Sequence, residues 1–204
     1  MSGLPRALSQ LLLAFALVVV FGADPWLGVC FAVGCAMVFP AAPWRPLPAA
    51  RALGCYVVWL VVWVAFAVAY LRVMAALGHP VAPQRQLLAL AEQGVSLPGF
   101  WLQATLIVVV APVFEELLFR GYLFAAVERA LPRWGTQAVV ATLFGLAHGL
   151  AHALPIGVLS LVFGYLRQRH GSLLPSMLAH AAHNGITVTV VVCWPGTLDL
   201  LYAR

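Results

Sequence analysis

The chain has 204 residues, of which 64% are hydrophobic and only 8% charged, with a mean hydropathy of +1.00; soluble domains are about half apolar and a quarter charged. This composition excludes a soluble globular protein and describes an integral membrane protein. The net charge of +5 does not indicate a nucleic-acid partner, because the arginines stand singly at the ends of apolar runs rather than in a stripe.

About 20 apolar residues are needed to cross ~30 Å of hydrocarbon, and on that rule the sequence predicts an all-α bundle of about seven transmembrane helices, with a range of six to eight. The first runs from about Leu8 to Gly22. Arg6 ahead of an apolar run resembles a secretory signal, but cleavage after Ala23 would put Phe21 where a small residue is wanted, so an uncleaved helix is expected. Asp24-Pro25-Trp26 turns the chain into a second span, Trp26 to Ala42, closed by the proline-rich stretch 40–48. The third runs from Ala52 to Leu77 and ends at Gly78-His79-Pro80. Residues Pro83 to Gln93 carry Arg85 and Glu92 between leucines, the pattern of an interfacial helix. The fourth span, Gly99 to Val127, is broken by Leu131-Pro132; the fifth covers Thr136 to His152, a short sixth Pro155 to Arg167, and the seventh Leu173 to Trp194.

No polar linker or internal repeat divides the chain. It reads as one membrane domain, with N-terminal helices and the interfacial segment over 1–98 and a catalytic-type helical core over 99–204. Cys30, Cys35, Cys55 and Cys193 lie in apolar stretches without CxxC spacing and are expected to be small core residues. The tryptophans at 26, 44, 59, 63, 101, 134 and 194 are expected at the membrane interfaces. With seven spans, Arg6, Arg45, Arg51, Arg129, Arg133, Arg167 and Arg169 fall on one side and Arg72, Arg85 and Arg204 on the other. The positive-inside rule then puts the N-terminus in the cytoplasm and the C-terminus outside. Eleven arginines without a lysine hint at a GC-rich genome, hence a bacterial cytoplasmic (inner) membrane.

The fourth span contains Phe-Glu-Glu-Leu-Leu-Phe-Arg-Gly, residues 114–121. On a helix Glu116 and Arg120 share a face and form an ion pair, while Glu115 points about 100° away and is left over. Two carboxylates more than a turn from the span's end are more than a marker of that end. In the fifth span Phe144, His148 and His152 follow one another at spacing four, and in the seventh His180 and Asn184 do the same. Counted at ~1.5 Å per residue from the cytoplasmic ends, Glu115 lies about 20 Å deep, His148 about 18 Å, His180 about 10 Å and Asn184 about 17 Å. Antiparallel helices bring these groups to similar levels.

These motifs, Glu115-Glu116-x-x-x-Arg120, Phe144-x-x-x-His148 and His180-x-x-x-Asn184, stand in the order of the three motifs of the CPBP (CAAX-protease and bacteriocin-processing, or Abi) intramembrane glutamic endopeptidases, and the sequence resembles that family from the fourth span to the seventh. The resemblance implies a peptide hydrolase without a cofactor. Glu115, His148, His180 and Asn184 would be its catalytic residues, with Glu116, Arg120 and Phe144 in support. The chemistry of the residues agrees. A carboxylate partly withdrawn from water is a competent base, and Glu115 has no partner. His148 is suited to share its water, and the His180 and Asn184 donors to hold an oxyanion. The partners implied are the lipid bilayer and a protein or peptide substrate, lipidated or carrying a C-terminal sorting segment. The family includes enzymes that trim prenylated CaaX tails, bacteriocin leaders and sorting segments, and the sequence does not select among them.

Two other readings stay open. A zinc protease would draw on Glu115, His148, His152 and His180, although no HExxH motif is present. A proton or ion conductor, or an inactive scaffold, would also keep ionisable groups in the membrane, although the paired, interrupted helices of transporters are missing. His183 lies about 60° off the His180–Asn184 face, which predicts a core or interfacial role. His79 and His170 fall in turns.

Overall fold

A computed structural model describes residues 3–38, 49–93 and 95–202. Among these there are nine helices and no strand: α1 Gly3–Ala23, α2 Pro25–Val38, α3 Ala49–Ala76, α4 Arg85–Glu92, α5 Pro98–Val127, α6 Arg133–Ala147, α7 Leu150–His170, α8 Leu174–Cys193 and α9 Gly196–Tyr202. The protein is an all-α membrane bundle. Trp44, Arg45, Arg204 and the proline-rich close of the second predicted span lie outside the described residues.

Five helices, α1, α3, α5, α7 and α8, are long and apolar enough to cross a membrane, against the seven spans expected. Helices α2 and α6 account for the difference, with 14 and 15 residues, or ~21–23 Å of rise. The chain still runs back and forth as predicted. Val38, Arg6 and Arg129 line one cavity, and Arg167 pairs with Glu128 at 3.0 and 3.1 Å. These contacts bring Arg6, Arg129 and Arg167 to one end of the bundle.

The boundary between the fifth and sixth predicted spans is a correction. Helix α6 stops at Ala147, and Gly149, with φ of 90°, turns the chain directly into α7. That positive φ is a glycine's conformation. His152 therefore belongs to α7 and does not follow His148 on one helical face. Pro155 sits inside α7 rather than at its start. Proline cannot donate to the carbonyl four residues back; the Ala151 carbonyl accepts from the Tyr70 hydroxyl at 2.9 Å instead. Helices α6 and α7 pack so closely that a Cβ on Gly145 would collide with the Ala153 carbonyl oxygen, the small-residue approach by which membrane helices gain contact area.

Helix α5 is the axis of the C-terminal half. It contains two π-helical stretches, Leu106–Val110 and Leu117–Leu123, on either side of Ala111–Glu116. Each widened stretch diverts a backbone carbonyl from its usual donor. The Ala111 N–H goes to Leu106, and Pro112 has no N–H, so the Ile107 carbonyl turns to the Asn184 side chain at 2.8 Å. The Phe124 N–H goes to Phe119 and Gly121, and the Arg120 carbonyl accepts from Arg167 Nε at 3.2 Å. The π turns thus tie α5 to α8 and α7 at the two ends of the Glu-Glu pair.

Helices α1 and α2 pack against α5 and α6 around Leu17, Phe114, Phe124 and Phe144. Helix α3 packs on α7 and α8 around Tyr56, Phe163 and Leu166. Helix α4 lies against α5 and α8 through Leu90, Phe100 and Val188.

Candidate active site

Glu116 and Arg120 are fully buried. Arg120 Nη1 donates to Glu116 Oε1 at 3.0 Å, and Nη2 donates to Ser160 through its carbonyl at 3.1 Å and its Oγ at 2.5 Å. The guanidinium carbon lies 4.3 Å from the Phe144 ring centroid and 5.3 Å from that of Phe163. A buried charge is tolerable only with partners of this kind. His180 adds another: its Nδ1 donates to the same Glu116 oxygen at 2.9 Å, and Phe163 stacks on its ring at 4.7 Å.

Glu115 faces the other way. Its Oε2 lies 3.8 Å from His148 Nε2 and 3.7 Å from His180 Nε2, beyond direct hydrogen bonding and within the span that one bridging water covers. The carboxylate is 21% exposed, and that Oε2 is buried without a hydrogen-bond partner. His148 ends α6, and its Nδ1 donates to the Phe144 carbonyl at 2.8 Å. In the neutral ring this leaves the Nε2 lone pair turned toward Glu115. Asn184 spends one amide N–H on the Ile107 carbonyl, which fixes the amide plane and leaves the second N–H for the cavity.

Glu115, Phe144, His148, His180 and Asn184 line one cavity of about 280 Å³. Its other walls come from α3 (Trp63, Ala67, Leu71), from Gln84, Gln86 and Leu87, and from Tyr202. His152 lines the cavity from α7 rather than from α6. His183 is buried, as a core role predicts, and also borders the same cavity. Trp63, expected at a membrane interface, sits in mid-helix, its indole N–H bonded to the Pro155 carbonyl at 2.8 Å. Sequence reasoning missed Ser160, Tyr56 and Trp63. The only available sign was a polar group in an apolar helix, and its meaning depends on what stands opposite. Among the described residues no group of three or more His, Cys, Asp and Glu side chains is arranged to hold a metal ion.

The family model described as type II CAAX prenyl endopeptidase Rce1-like matches residues 97–186, a stretch holding all three motifs. No curated protein and no solved structure matches the chain.

Proposed function

We propose that this protein, whose residues 97–186 match the model of the CAAX-type intramembrane endopeptidases of the CPBP family, hydrolyses a peptide bond of a membrane-associated substrate by glutamate-activated water. One observation carries the mechanism. Of two adjacent carboxylates, Glu116 is paired through Oε1 with both Arg120 and His180, whereas Glu115 has no hydrogen-bonded or charged partner closer than the two imidazoles 3.7 and 3.8 Å away on a cavity wall.

The water lies between Glu115 Oε2 and His148 Nε2. Glu115 takes one of its protons as the oxygen attacks the scissile carbonyl carbon, and the His148 lone pair orients the remaining one. The carbonyl oxygen becomes an oxyanion held by the second Asn184 N–H and by His180. His180 has spent Nδ1–H on Glu116, so it donates from Nε2 only as an imidazolium. Glu115, Glu116 and Arg120 together carry one net negative charge, which that imidazolium balances. Collapse of the tetrahedral intermediate breaks the C–N bond, and the proton held by Glu115 passes to the leaving nitrogen.

The substrate class named by the family description, a prenylated CAAX tail, is the first to test, beside a leader peptide and a C-terminal sorting segment. The arginine-rich end is cytoplasmic in this reading and the membrane a bacterial inner membrane, so a cysteine introduced at position 131 resists labelling from outside intact cells. The reverse labelling pattern overturns the orientation. For the chemistry, wild type and Glu115→Gln are assayed in detergent on the three peptides with and without a strong chelator. Chelator-resistant cleavage lost in Glu115→Gln is expected. Cleavage that disappears with a removable stoichiometric zinc replaces the mechanism with a metalloprotease, and wild-type cleavage by Glu115→Gln removes Glu115 as the base.

A further inference from the structure

His183 has no part in the three motifs, yet it lies between His180 and Asn184 in sequence and forms part of the same cavity wall. Its ring is 8% exposed and held on two sides. Nδ1 lies 3.0 Å from the Tyr56 hydroxyl oxygen, and the Trp63 ring stands edge-on at 4.7 Å and 85°. Trp63 is itself fixed by the Pro155 carbonyl.

The Tyr56 contact selects a tautomer. Tyr56 is fully buried among Ala52, Leu159, Val162, Phe163 and Ala179, and its hydroxyl has no other hydrogen-bond partner among the described residues. If Nδ1 carried the imidazole proton, it would donate to the phenol oxygen and strand the phenol O–H in apolar surroundings, the costly way to arrange a buried polar pair. With the phenol donating, Nδ1 accepts and the proton resides on Nε2. That N–H has no acceptor among the described residues, on a ring that borders the cavity.

We propose that His183 is a third hydrogen-bond donor into the catalytic cavity, binding a carbonyl of the substrate backbone, and that Tyr56 is the positioning residue holding the imidazole in the donating tautomer. The proposal rests on the peptidase reading and adds a substrate-holding group to it. A backbone carbonyl is the acceptor a peptide always supplies, and it suits a neutral donor in a largely apolar wall. Such a bond forms in the bound ground state and persists in the transition state, so its loss raises KM and leaves kcat.

The test uses a farnesylated CAAX peptide in detergent. His183→Phe, which keeps the ring's shape, is expected to raise KM about three- to tenfold, the worth of one neutral hydrogen bond, with kcat within about twofold; its melting temperature falls, because the buried Tyr56 hydroxyl loses its acceptor. His183→Gln, which restores an N–H, recovers part of the loss. In Tyr56→Phe, KM falls between wild type and His183→Phe, and the 15N spectrum of the His183 ring, assigned by difference against His183→Phe, changes from an Nε2–H tautomer to a mixture. Peptide binding to Glu115→Gln with and without His183→Phe repeats the comparison without turnover. This separates the two claims: cleavage by Glu115→Gln sinks the mechanism, whereas wild-type KM and binding in His183→Phe sink this proposal. A wild-type spectrum showing Nδ1–H also overturns it, whether or not any peptide is cleaved.

Discussion

Helix α5 separates two chemically opposite regions. On one side Glu116, Arg120, Ser160 and His180 form a closed cluster in which the guanidinium meets a carboxylate, a hydroxyl, a carbonyl and two aromatic faces. On the other, one residue earlier in the chain, Glu115 has two imidazole nitrogens near it and a hydrogen bond to neither. The difference shows how a membrane protein can keep one carboxylate without a partner beside another that is paired. The closed cluster fixes the backbone and His180, so the open side stays poor in partners without collapsing. The proposed mechanism puts stability in the first region and reactivity in the second, and substitutions are expected to separate them.

The largest separation is between the two glutamates. Glu115→Gln is expected to lower kcat by about 10² to 10⁴, the usual contribution of a positioned base, while the melting temperature stays near that of wild type. Arg120→Met leaves Glu116 buried without its cation, a change that costs about 3–5 kcal/mol, and the variant is expected to be recovered poorly from the membrane. Thermal unfolding in detergent beside peptide cleavage measures both. Equal loss of stability in Glu115→Gln would mean that the two sides are not distinct.

The next step tests the π turn that joins the regions. Asn184→Ala removes the proposed oxyanion donor and is expected to lower kcat by about 10² to 10³ with little change in KM. It also strands the Ile107 carbonyl, at a cost of about 1–3 kcal/mol, so its melting temperature falls where that of Glu115→Gln does not. A variant that loses stability but keeps kcat would show that Asn184 serves only the helix.

Much of this contrast was legible in the sequence, and the reasons are local. An i, i+4 spacing sets which glutamate meets Arg120, and Asp24-Pro25, Gly78-His79-Pro80 and Leu131-Pro132 mark breaks that the helices respect within a few residues. The break at Gly149 was legible only in part: a turn between Gly149 and Pro155 is expected from the sequence, but not that it puts His152 on the following helix. A glycine inside a helix costs only ~1 kcal/mol, and the helical spacing of Phe144, His148 and His152 continues through it. The short α6 was read as a full span because its apolar run continues past the turn at Gly149. The π stretches carry no sequence mark beyond Pro112. His183 leaves the His180–Asn184 face by about 60°, which predicts a core or interfacial role beside the site; it is buried, yet the cavity wraps around α8 as far as Trp63 on α3, a helix no motif connects to the site.

The smallest expected effect sharpens the comparison most, because it perturbs the closed cluster without opening it. Arg120 Nη2 is shared between the Ser160 carbonyl and Oγ. Ser160→Ala removes the hydroxyl but leaves the carbonyl, the Glu116 pair and both aromatic faces around the guanidinium. Hydrogen bonds to charged groups contribute about 1.5–3 kcal/mol, and the retained carbonyl offsets part of that loss, so a destabilisation of about 1–2 kcal/mol is expected, seen as a lower melting temperature. The Arg120 Nη1 contact that holds Glu116 against His180 is untouched, so kcat should remain within about threefold of wild type. A fall in kcat as deep as that of Asn184→Ala would show that strain in the closed cluster passes directly to His180, and the division of α5 into a supporting and a reacting side would have to be given up.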